Sequence, residues 1–111
     1  MNSLTQLKQV IDSFESRIEA GAVDAFQQQL SSIEAQYADK TAVISVVKMM
    51  GAIGGYLGAK RDNVHKDAVP VLKSIAIELE KLALESDLNK EQIDRTLAGC
   101  IQSYTALKNK V

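Results

Sequence analysis

The chain has 111 residues, a common size for one domain and long enough to bury a core without disulfides or bound metal. Thirteen Lys plus Arg against fourteen Asp plus Glu leave a formal charge of −1, with no basic stripe to displace phosphate counterions, which argues against nucleic acid as a partner. A single Cys rules out an internal disulfide, and the first eight residues show neither the basic region nor the apolar run of a secretory signal, so the cytoplasm is the expected location.

Composition then narrows the fold class. Aromatics make up 5%, Trp is absent and Pro occurs once, while Ala, Leu, Gln, Glu and Lys fill much of the chain. These side chains give up little rotamer freedom in a helix. The expectation is an all-α protein: one domain over residues 1–111, folded as an antiparallel bundle of four or five helices.

Leu4, Leu7, Ile11, Phe14 and Ile18 recur at spacings of three and four, which predicts a helix over 4–20. Ser3 and Gln6 match a capping box at its start, and Gly21 is the expected left-handed cap at its end. The stripe Val23, Phe26, Leu30, Ile33 and Tyr37 predicts a second helix over 22–38, with the chain turning at Gly21.

The third helix, 41–59, is apolar on most faces, as a central helix of a bundle or a membrane span would be. Lys48 near its middle argues against the span, at a cost of about 2.5–3.5 kcal/mol. Thr41, Ser45, Lys48, Ala52 and Gly55 form a polar or small strip, with Gly51, Gly54, Gly55 and Gly58 clustered beside it. Glycine costs about 1 kcal/mol relative to alanine inside a helix. Four in eight positions therefore imply a specific use. In order of preference, that use is a close internal helix crossing, a dimer contact or a ligand groove.

Asp67 as N-cap and Pro70 in the first turn predict a fourth helix over 68–86. Its buried stripe is Val69, Leu72, Ile75, Ala76, Leu79, Leu82 and Ala83, with Ile77 and Leu84 well off that face. A fifth helix over 90–109 has the clearest start: Asn89 and Gln92 form a capping box, and Leu88 and Ile93 a hydrophobic staple. Ile93, Leu97, Cys100, Tyr104, Leu107 and Val111 are its stripe, with Thr96, Gly99 and Ser103 to one side.

No arrangement of residues in the sequence meets the requirements of a catalytic site, a cofactor loop or a metal centre. The leading expectation is a non-enzymatic interaction or regulatory module that meets a protein partner, or a second copy of itself, through a helical face. Gly51, Gly54, Gly55, Gly58, Ile77 and Leu84 are the candidate surface. The cations and histidine of the connection before helix four, Lys60, Arg61, His65 and Lys66, are a candidate anion site beside a helix N-terminus. His65, the only histidine, is expected in a solvated loop. It is also the residue on which the alternative, a small enzyme or a histidine-phosphotransfer bundle, would rest. That family places Lys three residues after its His and Gly immediately afterwards, whereas Lys66, Asp67, Ala68 and Val69 follow here. A membrane-associated protein using 41–59 is the remaining alternative. Cys100, on the apolar stripe, is expected to be a buried and inert thiol.

Overall fold

The computed structural model describes residues 3–85 and 87–111; the side chain of Ser3, with the capping box expected there, and Ser86 at the expected end of the fourth helix lie outside what is described. Five helices appear, α1 (Ser3–Ser13), α2 (Ala20–Gln36), α3 (Thr41–Lys60), α4 (Ala68–Leu84) and α5 (Lys90–Lys108), with a 3-10 turn over Arg61–Asn63. About 80% of the described residues are helical, and the fold is an all-α bundle.

Each helix packs on its neighbour in the chain, and α1 also packs on α4. The first four helices thus form a closed square, and α5 lies outside it over the α3–α4 seam, touching both. Cross-helix pairs fix the directions. Gln27 meets Gly51 and Val23 meets Gly58, Lys8 meets Glu80 and Lys73 meets Asp12, so α2–α3 and α1–α4 are antiparallel. The apolar stripes of all five helices meet in one continuous core containing Leu7, Phe26, Ile33, Met50, Leu57, Leu72 and Leu79.

The first helix is shorter than its periodicity suggests. It ends at Ser13, whose Oγ donates to the Val10 carbonyl at 2.5 Å, while Phe14 N–H bonds back to Ile11 O at 3.0 Å. This tightening of the last turn drops Phe14 into the core, edge-on to Phe26 with ring centroids 5.8 Å apart. Residues 14–19 are the connection, and Gly21 is not a cap: it lies in the first turn of α2 and has no positive φ. The stripe continued through Ile18 because that residue also packs on the core, from the connection rather than from a helix.

α3 is the central helix, with Val43, Val46, Val47, Met50, Ile53, Gly54 and Leu57 buried among α2, α4 and α5. By length and composition it could cross a membrane, with a mean hydropathy of 1.5 over its most apolar 18 residues. Here Lys48 and Ala52 of its polar strip are exposed and the opposite faces are covered by protein.

The glycines of α3 divide by face. A Cβ on Gly54 would sit 2.5 Å from Gln27 Nε2 and 3.3 Å from Phe26 Cδ1, and one on Gly58 would sit 3.3 Å from Val23 Cγ1. Gly51 is in ordinary contact range of Leu30, and its carbonyl accepts from Gln27 Nε2 at 3.1 Å. These three make the close crossing with α2, whereas Gly55 faces open space.

At α4, Asp67 occupies the cap position with φ −85° and ψ −12° but makes no side-chain cap bond. Its carboxylate instead takes Lys110 Nζ at 2.7 Å, which holds that carboxyl below its usual range and ties the chain's end to the start of α4. The α5 capping box forms as expected, with Gln92 N–H to Asn89 Oδ1 at 2.8 Å and Asn89 N–H to Gln92 Oε1 at 3.0 Å. Val111, expected on the α5 stripe, is instead 54% exposed beyond the helix end.

The glycine division gives a paired expectation. Gly54→Ala must displace the Gln27 amide and crowd Phe26, so it should destabilise by about 1–2 kcal/mol despite its gain in propensity. Gly55→Ala meets nothing and should stabilise by about 0.5–1 kcal/mol. Urea denaturation of both variants checks the sign of each change.

Candidate functional site

The candidate residues fall into three places. Gly51, Gly54 and Gly58 face the α2 crossing, where Gly54 is buried and the other two half-buried, and Gly55 lies apart from them on the solvent side. Ile77 and Leu84 stand on the outer face of α4, 62% and 53% exposed. Pro70, seven residues before Ile77, is exposed as well. The three share one line down the helix, because seven residues make nearly two full turns. Lys8 and Glu80 form an ion pair beside this line, and Lys8, Ile77, Glu80, Lys81, Leu84 and Glu85 border one shallow groove.

The connection between α3 and α4 is more ordered than a solvated loop. His65 is half-buried. Its N–H donates to Tyr56 Oη at 2.8 Å, its Nδ1 accepts from Asp67 N–H at 3.0 Å, and its carbonyl accepts from Ala68 N–H at 3.0 Å. Accepting through Nδ1 leaves the ring proton on Nε2. The imidazole therefore does what an Asn or Asp side chain does in an Asx turn, and it starts α4 in place of Asp67. Just upstream, Arg61 closes α3 with φ at 31°, a positive value rarely adopted outside glycine.

Folding brings this connection against the one between α1 and α2. A cavity of about 500 Å³ between them is lined by Phe14, Ile18, Val64 and Val69 on its apolar side and by Arg17, Arg61, His65 and Lys66 on its polar side. Glu15 and Asp62 border it too. Lys60 does not line it, and Arg17 takes its place in the basic group. Arg17 lies 44 positions before Arg61, so sequence spacing offered no reason to group them.

A second cavity, of about 350 Å³, separates α4 from α5 and is bordered by Ser74, Glu78, Arg95, Thr96, Gly99 and Cys100. Thr96, Gly99 and Ser103 thus face α4 without closing on it. Cys100 is buried, and burial, with Glu78 adding to it, pushes its thiol up to about 11. The thiolate needed for nucleophilic chemistry is suppressed there. Among the described residues no three His, Cys, Asp or Glu side chains gather closely enough to hold a metal ion.

Two outcomes follow from this geometry. Cys100 should react with a thiol reagent at neutral pH far more slowly in the native protein than in denaturant, as followed by absorbance of the released thiolate. His65→Ala removes a turn acceptor and should cost about 1 kcal/mol, on the scale of a lost helix cap, while His65→Asn keeps an acceptor at the same place and should recover most of it. Thermal denaturation of the pair distinguishes a structural imidazole from a solvated one. Comparison of the chain with family models, characterised proteins and solved structures finds no match of any kind.

Proposed function

We propose that this protein is a non-enzymatic interaction module that self-associates through the outer face of α4. The observation that carries the reading is the pair Ile77 and Leu84, large apolar side chains 62% and 53% exposed one heptad apart on a helix whose opposite face is used by the core. Isolated exposed apolar residues are ordinary, but a pair at heptad spacing is the pattern of a helix that packs against another helix.

The charges beside the pair favour a second copy over an unlike partner. Two α4 helices set antiparallel about a two-fold axis between residues 80 and 81 bring Ile77 of each onto Leu84 of the other. The same register sets Glu80 opposite Lys81, twice. An isologous contact must be complementary to itself, and this register pairs apolar with apolar and places Glu80, which also holds Lys8 of its own chain, against a second cation.

Sedimentation across a range of protein concentrations tests the reading. The parent should pass from monomer to dimer as concentration rises, and Ile77→Glu, at an exposed site where stability should change by no more than about 0.5 kcal/mol, should stay monomeric. Lys81→Glu should weaken the dimer and Glu80→Lys with Lys81→Glu should restore it, because the paired reversal recreates the complementarity. A parent that is monomeric throughout, or an Ile77→Glu variant that associates like the parent, would falsify the proposal.

A further inference from the structure

We infer that the cavity between the α1–α2 and α3–α4 connections binds a small organic anion with an apolar arm, of the chemistry of a medium-chain carboxylate. The lining sorts by depth. Phe14 is buried, and Ile18, Val64 and Val69 are half-buried, whereas Arg17, Arg61 and Lys66 are exposed at the rim. Small-molecule sites are hollows of about 300–1,000 Å³ that join an apolar wall to polar groups that orient the ligand; here the hollow is open and its polar side is the larger. The volume here, about 500 Å³, falls inside that range.

The rim is cationic in excess of its own needs. Among the described residues Arg61 and Lys66 have no ion-pair partner, and Arg17 has only Glu19, at 3.9 Å and with both side chains largely exposed. Of the two carboxylates on the lining, Glu15 is already held by Lys73, whose ammonium it favours, which leaves Asp62 to face Arg61 and Lys66. Guanidinium groups present paired donors to a carboxylate or phosphate oxygen pair, and two of the three cations are arginines. His65 adds an Nε2–H donor, since its Nδ1 is committed to the turn. A bare inorganic anion would leave the accessible parts of Ile18, Val64 and Val69 in water. An apolar arm is the part of a ligand that would cover them. Of the exposed α4 line only Pro70 borders this cavity; Ile77 and Leu84, the residues that the dimer register pairs, do not, so a monomeric parent leaves the inference standing.

Calorimetric titration of the full chain with octanoate tests it, alongside inorganic phosphate and anionic phospholipid vesicles. Octanoate should bind saturably at one site, at least about tenfold more tightly than phosphate, and Arg17→Glu and Arg61→Glu should each weaken it by about tenfold or more. Lys48→Glu, on the exposed strip of α3 and outside the cavity, should bind as the parent does. Circular dichroism shows whether each variant is folded, and the exposed Lys66→Glu supplies the reading if either arginine variant is not. Absence of saturable octanoate binding, an equal loss in Lys48→Glu, or binding to vesicles alone would overturn the inference. Phosphate binding as tightly as octanoate would remove the apolar arm, and with it the ligand class.

Discussion

The bundle depends on how closely α2 and α3 approach. Gln27 donates to the Gly51 carbonyl in the middle of α3, and a side chain at Gly54 would occupy the space its amide fills. A carbonyl inside a helix keeps a second lone pair after its own helical bond, so it can be reached from outside if nothing covers it. Glycine leaves it uncovered. The close crossing brings Phe26 under α3, and Phe26 in turn receives Phe14 from the end of α1. Phe14, which lines the basic cavity at the start of the first connection, thus packs through Phe26 against residues 51 to 58.

Polar contacts at the two ends of the bundle complement this apolar centre. Lys40, at the start of α3, donates to the Ala83 carbonyl at the end of α4, where the helix dipole leaves partial negative charge. At the opposite end Lys110 reaches Asp67, and Lys73 bridges α4 to Asp12 of α1 and Glu15 of the connection that follows it. Exposed pairs of this kind add little stability, typically under about 1 kcal/mol each. Their effect is to specify which helix end meets which, a matter on which apolar stripes are silent.

The helices were readable because their periods are set by burial on one side. Leu4 to Ile11, Val23 to Ile33, Leu72 to Ala83 and the Asn89–Gln92 box all appear where spacing put them. What spacing could not reveal was the end of α1. Phe14 and Ile18 keep the helical interval while lying outside a helix, since a connection can bury side chains at the same interval by another path. The candidate surface was only half legible. Ile77 and Leu84 stand out as apolar residues on the wrong face, but the glycines of α3 read alike in sequence and are divided only by where α2 lies. The basic cavity joins Arg17 to Arg61 across two helices, and the Asx-like role of His65 needed Tyr56 and Asp67 in place.

The position of α5 has a consequence for how the molecule opens. α5 lies outside a square already closed by the α1–α4 contact, and it buries Cys100 and Leu107 where α3 buries seven residues. Sub-global opening follows the least-buried unit. Amide protons of α5 will therefore exchange with solvent by detachment of that helix alone, while those of α3 wait for the whole bundle to come apart. The one thiol of the chain sits on the helix that leaves first, so it is uncovered by a partial opening long before the core is.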